Sequence, residues 1–188
     1  MEHYTFDSGR VMPAPDLPVD LRAALDKLMR GRPPLRLFTT VGRDPRLLAK
    51  LLNGGLLGPG NLTVRHREIV IHRVTATCGA DYEFGVHAAY FASRAGLDDD
   101  ALAALATPHV AAGPWSPAEA ALIELCDSLD ATCTIDDDLW DVLTQHFTDE
   151  AVIEALMLAG YYRMVSYLCN GLEIPLEPGT APIAAHRS

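Results

Sequence analysis

Apolar side chains recur along most of this chain at intervals of three and four residues, the spacing of one face of an α-helix. The pattern is clear from Leu21 to Leu28, and again from Leu47 to Leu52 after a helix start at Asp44-Pro45. No segment alternates apolar and polar residues between hairpin turns, as a half-buried strand would. The pattern therefore predicts an all-α protein of about eight helices.

Start and stop signals place the central helices. Thr63 is a predicted N-cap, and the helix that it opens should run through Glu68 and end near Cys78-Gly79. The next helix is expected from about Ala80 to Ala95, with Gly96 at its C-terminal stop. These two helices would lie next to each other along the chain, joined by a short turn.

Later helices are predicted from the same kind of signal. Residues 116–119 read Ser-Pro-Ala-Glu, a capping box with proline at the first helical position. Three aspartates at 98–100 place negative charge on the first turn of a short helix. Two more helices are predicted at about 136–147 and 149–172.

The composition is that of one globular domain. Of the 188 residues, 49% are hydrophobic and 21% are charged, which excludes collagen-like, low-complexity and disordered chains. At this length a folded chain buries roughly 70% of the surface that its unfolded form exposes, so a core needs no disulfide or metal. We expect an extended N-terminal arm over residues 1–19, where three prolines interrupt the pattern, a helical domain over 20–178 and a C-terminal tail over 179–188.

Charge and hydropathy narrow the choice of partners. The formal net charge of −10 argues against a nucleic-acid surface. The first residues lack the basic and apolar regions of a signal peptide, and no stretch approaches the roughly 20 apolar residues that span a bilayer. We therefore expect a cytoplasmic protein with no membrane partner, whose four cysteines form no C-x-x-C pair and remain reduced.

Candidate chemistry begins with Glu83 and His87, which lie four residues apart and so point the same way on a helix. They lie beside an apolar stripe that includes Phe84 and Phe91. A carboxyl and an imidazole placed there are either a satisfied core pair or a general acid/base pair in a partly dry cleft. The pattern leaves both interpretations open.

Glu68 lies in the preceding helix among apolar residues. On a solvated face it would pair with a neighbour such as Arg65. If the two helices form an antiparallel hairpin, Glu68 instead faces the helix that carries Glu83 and His87.

These residues resemble a known family, the carboxymuconolactone decarboxylase-like proteins, which include alkyl hydroperoxidase D. The likeness covers roughly residues 35–177. It rests on Arg-Glu-Ile-Val at 67–70, Asp-Tyr-Glu-Phe-Gly-Val-His at 81–87, Arg-Ala-Gly-Leu at 94–97 and Gly-Tyr-Tyr-Arg-Met-Val at 160–165. The resemblance implies the helical fold of alkyl hydroperoxidase D, a small-molecule substrate and a homo-oligomer, commonly a trimer or hexamer.

In the hydroperoxidase branch the motif is Glu, eleven residues, Cys, two residues, Cys, three residues and His. Glu68, Ala80, Glu83 and His87 stand at those positions, so both motif thiols are missing. A peroxidase that cycles through a disulfide needs two thiols with α-carbons within about 7 Å. Cys78 could still be oxidised alone and reduced by an external thiol, so a peroxidase (peroxiredoxin-type) activity through Cys78 is kept as an alternative.

In the decarboxylase branch the corresponding segment is Glu-x-x-x-His, which Glu83 and His87 satisfy, and that branch works without a cofactor. The resemblance implies a carboxy-lyase for a small carboxylated or lactone-type metabolite. His87 would donate the proton, Glu83 would orient and tune it, and Glu68 would be a second proton relay. A non-catalytic small-molecule-binding scaffold is the other alternative.

Further side chains around this motif are candidates for binding roles. A zinc site made of Glu83, His87 and His72 is not predicted, because no second histidine lies at helical spacing with His87. Aromatic residues in the last helix are interpreted as core or interface residues, namely Tyr161, Tyr162 and Tyr167. The partner of a substrate carboxylate is left open among three arginines, namely Arg65, Arg67 and Arg73.

Overall fold

The computed structural model describes residues 9–54, 56, 58–107, 113 and 115–187. In these ranges the chain forms ten α-helices, one 3₁₀-helix and no strand, which confirms the all-α prediction. The helices are α1 (Val19–Met29), α2 (Arg36–Val41), α3 (Pro45–Gly54), α4 (Val64–Thr77), α5 (Asp81–Tyr90), α6 (Ala92–Ala95), α7 (Asp99–Ala106), α8 (Pro117–Thr132), α9 (Asp137–His146) and α10 (Asp149–Gly171), and the 3₁₀-helix is Ile183–His186. Eight of the ten have at least eight residues.

Helix α4 is the centre of the fold, because it packs against α5, α7, α8 and α10. Every residue from Arg67 to Thr75 is buried, including Glu68, His72 and Arg73. Polar groups that leave water need partners inside the protein. The neighbouring helices must therefore satisfy the charges that α4 carries inward.

The turn between α4 and α5 makes the hairpin on which the sequence interpretation depends. Thr63 caps α4 by accepting a hydrogen bond from the backbone of His66 at 3.1 Å, as predicted. At the other end Gly79 has a φ of +60°, which reverses the chain, and the Ala80 amide donates to the Thr75 carbonyl at 2.8 Å. Helix α5 then returns along α4.

The prediction of one helix over residues 80–95 is wrong in one detail. Phe91, with a φ of −126°, separates α5 from α6, and Gly96 ends α6 in the left-handed region as expected. Apolar spacing continues across the break, so the pattern does not reveal it. Helix α2 is also absent from the prediction, because six residues after two prolines are too few to show a period.

Both ends of the described chain are attached to the body. Residues 9–18 contain no helix, and the Arg10 amide donates to the Leu172 carbonyl at 2.8 Å. Residues 1–8 of the expected arm lie outside the described residues. At the other end, the Ile183 amide donates to Asp81 Oδ1 at 2.9 Å, and a Cβ on Gly85 would come within 2.5 Å of the Ala181 carbonyl oxygen. The tail thus packs directly on the backbone of α5.

Three apolar clusters hold these helices together. One fills the space between α4, α8, α9 and α10, a second surrounds Phe84, and a third surrounds Tyr82 and Val165. Among the described helices, none combines the length and the apolar character that crossing a bilayer requires.

Candidate active site

The α4–α5 hairpin brings Glu68, Glu83 and His87 together in the interior. His87 Nδ1 lies 2.8 Å from Glu68 Oε2, and His87 Nε2 lies 3.4 Å from Glu83 Oε1. Glu68 and His87 are each only 2% exposed. The three residues singled out in the sequence therefore form one buried array in which a carboxyl group stands at each nitrogen of the imidazole.

Opposite charges inside this array stabilise each other. Burial by itself lowers the pKa of His87, but the adjacent Glu68 carboxylate outweighs burial and raises that pKa to about 10. Burial likewise tends to raise the pKa of Glu68, yet the charge of His87 and the hydrogen bond between them bring it below its ordinary value. At neutral pH the pair is an imidazolium and a carboxylate.

A second histidine lies on the other side of Glu68 and behaves differently. His72 Nδ1 donates to the main-chain carbonyl of Glu68 at 2.7 Å, and its distance to Glu68 Oε2 is 3.8 Å. His72 is fully buried, and burial lowers its pKa to about 4. His72 Nε2 has no hydrogen-bond partner in the part of the chain that the structure describes. His72 is therefore a neutral imidazole in an apolar setting beside Phe84, whose ring centroid is 4.9 Å away.

Aromatic rings fix the orientation of the His87 imidazole. Phe91 stacks on it with ring centroids 4.9 Å apart and planes 26° from parallel. Tyr162 from α10 meets it edge-on, at 5.1 Å and 87°. With Nδ1 held by Glu68, the imidazole keeps Nε2 directed toward Glu83.

The array opens on a cavity of about 910 Å³. Glu83 and His87 are among its lining residues and Glu68 is not, so Glu68 stands behind His87 as seen from the cavity. Most of the lining is apolar or aromatic, with contributions from α1, α3, α5 and α10 and the loop that precedes α4. Apolar walls of this kind strengthen electrostatic interactions at the end of the cavity formed by Glu83 and His87.

The three candidate arginines divide into two that are paired with acids and one that is not. Arg65 forms an ion pair with Glu119, and the buried Arg73 forms a two-pronged ion pair with Asp127. Arg67, which is 8% exposed, has no ion-pair partner among the described residues. Charge compensation therefore distinguishes Arg67 from the other two.

Arg67 hydrogen-bonds to the loop that precedes α4 and borders the cavity. Its Nη1 donates to the carbonyls of Gly58 and Leu56, which both line the cavity, and its Nε is buried without a partner. Arg67 itself is not a lining residue. The arginine that does line the cavity is Arg32, an exposed residue whose guanidinium carbon lies 4.3 Å from the Tyr90 ring centroid.

Two neighbouring tyrosines of α10, Tyr161 and Tyr162, pack in or against the core as expected and also line the cavity. The Tyr161 hydroxyl donates a hydrogen bond to the Leu51 carbonyl at 2.6 Å, whereas the Tyr162 hydroxyl has no hydrogen-bond partner among the described residues. Tyr167, by contrast, is exposed on the same helix. The missed signal in the sequence was a tyrosine pair on a helix face that otherwise buries aliphatic residues.

The thiols lie outside the cavity wall. Cys78 is half-buried at the end of α4, where burial raises its pKa, and it does not line the cavity. Cys169 is buried on α10 with its Sγ 4.0 Å from Glu83 Oε2, and burial raises its pKa too. All four cysteines are unpaired. Among the described residues no three acidic, histidine or cysteine side chains are placed to hold a metal ion.

The sequence of residues 45–125 matches the model of the carboxymuconolactone decarboxylase family. A comparison with curated proteins gave no match.

Solved structures of similar shape cover nearly the whole chain. An alkylhydroperoxidase AhpD core protein from Ralstonia eutropha JMP134, described as an uncharacterized peroxidase-related protein, has a TM-score of 0.80 and 18% identity over 90% of this chain and 93% of its own. A peroxidase-related protein from Silicibacter sp. TM1040 has a TM-score of 0.76 and 14% identity over 92% and 93%. A cysteine-to-alanine variant of the debrominase Bmp8, in complex with 2,3,4-tribromopyrrole, has a TM-score of 0.75 and 16% identity over 96% and 97%. The TM-scores show that these proteins share the fold of this chain, and at identities this low the likeness shows the fold alone.

The matched segment contains α4 and α5, and therefore Glu68, Glu83 and His87. The family match and the AhpD-like fold agree with each other, and Ala80 and Glu83 stand where the hydroperoxidase branch has its two thiols. Residues 45–125 of this chain are thus similar to the carboxymuconolactone decarboxylase family within an AhpD-like fold, and this segment lacks the C-x-x-C pair of the hydroperoxidase branch.

Proposed function

We propose that this protein is a cofactor-independent acid/base enzyme that acts on a small carboxylated or lactone-type metabolite, as carboxymuconolactone decarboxylase does. One observation carries the proposal. A buried imidazolium has a carboxyl group at each of its nitrogens, 2.8 and 3.4 Å away, and His87 lines a 910 Å³ cavity together with Glu83. A general acid must lie within reach of the atom that it protonates, and His87 belongs to the cavity wall.

The geometry favours roles for Glu68, Glu83 and His87 that differ in part from those that the family resemblance implies. Glu68 is screened from the cavity by His87, so its role is to orient the imidazole and keep it charged rather than to relay protons to substrate. Glu83 shares the cavity wall with His87 Nε2 and can exchange a proton with it. His87 keeps the proposed role of proton donor.

The decarboxylation balances with these groups alone. The bond between the carboxylate carbon and the lactone carbon breaks, carbon dioxide leaves, and the electron pair stays on the conjugated lactone. A new C–H bond then forms with the proton from His87 Nε2. Neutral His87 regains a proton from water. The low-polarity walls favour this step because the reaction disperses the charge of the substrate.

The cavity suits a small ring-shaped ligand. Its volume falls in the range of about 300–1,000 Å³ that is usual for small-molecule sites. The debrominase of the same fold was solved with 2,3,4-tribromopyrrole, a planar five-membered ring, which supports a ligand of similar size here. No thiol lines the cavity, so the structure offers no comparable support for the peroxidase alternative through Cys78.

The test is a screen of unsaturated carboxylated lactones with two readouts, loss of ultraviolet absorbance and release of carbon dioxide. We expect turnover by the wild type that is reduced about 10²- to 10⁴-fold in His87→Gln, the usual range for positioned proton transfer. Circular dichroism shows whether the variant remains folded. Binding of lactones without turnover by either protein would instead support a binding scaffold, and equal rates in both would contradict the role of His87.

A homo-oligomer is part of the same proposal, and α10 offers the surface for it. An exposed apolar seam runs along this helix at intervals of four and three residues, the spacing of a coiled-coil contact. Its members are Ile153, Met157, Gly160, Met164 and Tyr167. Ile153 and Met157 also line the cavity, so a second copy on the seam would cover part of the rim. Pairing of the seam with itself is a twofold contact, as in a dimer or a hexamer of two trimers.

Sedimentation equilibrium tests the seam. Met157→Glu should lower the oligomer order, since it places a charge at the contact. The matched control is Val142→Glu, on the exposed face of α9 away from the seam. A monomeric wild type, or an equal response of the two variants, would contradict this assignment.

A further inference from the structure

Two hydrogen-bond donors near the cavity have no acceptor among the described residues. The Tyr162 hydroxyl makes no hydrogen bond among the described residues. Its oxygen is also not one of the fully buried polar atoms that lack a partner, so it keeps some exposed surface. Because Tyr162 lines the cavity, its hydroxyl oxygen stays open to a ligand there. Arg67 Nε is buried and without a partner.

These two donors act on each other electrostatically. The positive charge of Arg67 opposes the burial and the carboxylates of Glu83 and Glu68, which together hold the pKa of Tyr162 well above its ordinary value. Tyr162 is therefore a neutral phenol, and a donor, at every pH that the fold experiences. Polar groups removed from water are normally hydrogen-bonded, so an unpartnered phenol at the wall of a cavity is available to hydrogen-bond a ligand there.

We infer that the Tyr162 hydroxyl binds the carboxylate of the ligand in this cavity, supported by the uncompensated charge of Arg67 on the loop that borders it. The inference rests on the proposed function and deepens it, because it names the partner of the substrate carboxylate that the sequence left open. Arg65 and Arg73 are excluded from that role by their ion pairs with Glu119 and Asp127. Tyr162 touches the ligand, and Arg67 is a positioning residue that acts through it.

The arrangement suits a decarboxylation, in which the bound carboxylate loses its negative charge and leaves as carbon dioxide. A direct ion pair with arginine would stabilise the substrate carboxylate more than the transition state, in which its charge is already leaving, and so would slow the reaction. A neutral phenol orients the carboxylate and stabilises the ground state less than an arginine would. The charge of Arg67, which does not contact the ligand, still favours binding of an acid over binding of a neutral molecule. The Tyr162 ring stands edge-on to His87, which places the carboxylate beside the proton donor.

Binding of two small probes tests the inference without any turnover. The probes are 2-furoate, a planar five-membered ring with a carboxylate, and its methyl ester, each measured by isothermal titration calorimetry at pH 7. We expect the wild type to prefer the acid, and Tyr162→Phe to reduce the acid-to-ester affinity ratio by about tenfold or more, as for loss of a hydrogen bond to a charged group.

Tyr161→Phe is the matched control. It also removes a phenolic hydroxyl from the cavity wall, but one that is already engaged with the Leu51 carbonyl, so the acid-to-ester ratio should not change. Arg67→Met should lower the ratio and Arg67→Lys should restore part of it, a graded response that a purely structural role of Arg67 would not give. Thermal unfolding reports whether each variant is folded.

Specific outcomes overturn the inference. It fails if the wild type binds neither probe or prefers neither, if Tyr162→Phe keeps the full ratio, or if both tyrosine variants lower it equally. If the acid preference follows Tyr162 and Arg67 but no lactone is turned over, the inference stands and only the proposed function fails.

Discussion

His72 and His87 are two buried histidines on either side of one carboxylate, yet the protein gives them opposite properties. Both are almost fully excluded from water, and their ring centroids are 6.1 Å apart. His87 meets the side-chain carboxylate of Glu68 at 2.8 Å, and its pKa rises to about 10. His72 meets the main-chain carbonyl of the same residue, and its pKa falls to about 4.

The contrast shows that burial does not decide the charge of a histidine; its partner does. Glu68 has one carboxylate and can compensate one imidazolium, and the positive charge of His87 further lowers the pKa of His72. The compensated ring is the one that borders the cavity. The site thus presents a charged donor to the ligand and keeps a neutral, structural imidazole behind it.

The largest expected effect is on turnover, and it separates the two histidines. His87→Gln should reduce turnover of a lactone substrate about 10²- to 10⁴-fold, because it removes the proposed donor. His72→Gln is the matched control, and since His72 does not line the cavity we expect a loss of about threefold or less if the fold is kept. Steady-state rates at pH 7 measure both, and similar losses in the two variants would erase the functional distinction.

The next effect is on stability and comes from the carboxylate between the rings. Glu68→Gln leaves His87 buried without its counter-ion, and removal of one partner of a buried ion pair typically lowers the free energy of unfolding by about 3–5 kcal/mol. Urea unfolding at pH 6 measures the loss. Glu154→Gln, at an exposed hydrogen bond to Asn61, is a control that should lose much less. A change below about 1 kcal/mol in Glu68→Gln would show that the ion pair is not formed.

A smaller effect is the opposite pH dependence of the two histidines. The folded pKa of His87 is raised, so its stabilisation is complete below the ordinary value of 6.5 and is lost as pH rises through about 10. The folded pKa of Glu68 is lowered, so its stabilisation is present above the ordinary value of 4.5 and is lost as pH falls through the folded value. The pair contributes most between about pH 4.5 and 6.5.

The contribution of His72 to the pH dependence of stability has the opposite sign to that of His87. Its folded pKa is lowered, so the unfolded chain takes up a proton first, and stability falls as pH drops from 6.5 toward 4. We expect His72→Gln to flatten the slope of unfolding free energy over that range, and Glu68→Gln to flatten it between pH 6.5 and 10. Urea titrations at intervals of one pH unit measure both slopes. The same change of slope in both variants would contradict the assignment of charge to one ring.

The sequence was sufficient for the fold and for the three residues of the array, because helix caps and i, i+4 spacing are local signals. Thr63, the capping box at 116–119 and the turn at Gly79 could each be recognised without knowledge of the tertiary structure. The break at Phe91 could not, since apolar spacing continues across it.

What the sequence could not show are properties that depend on distant chain segments. Whether Glu68 lines the cavity or stands behind His87 is one such property, because the cavity is formed by α10 and residues 58–61 as well as by α5. The arginines look equivalent along α4, and only their partners 54 residues away, Glu119 and Asp127, distinguish them from Arg67. The accessible Tyr162 hydroxyl likewise becomes visible only when its surroundings are known.

The smallest expected effect concerns Cys78, the residue on which the peroxidase alternative depends. Cys78→Ser should change lactone turnover by less than about twofold, because the thiol is outside the cavity wall and burial raises its pKa, which leaves little thiolate at neutral pH. Consumption of hydrogen peroxide with dithiothreitol as reductant should be equally low in the wild type and in Cys78→Ser. The exposed Cys133 provides the control, since Cys133→Ser reports any unspecific reaction of a surface thiol. Peroxide consumption that is lost in Cys78→Ser and kept in Cys133→Ser would move the chemistry from the imidazolium array to the end of α4.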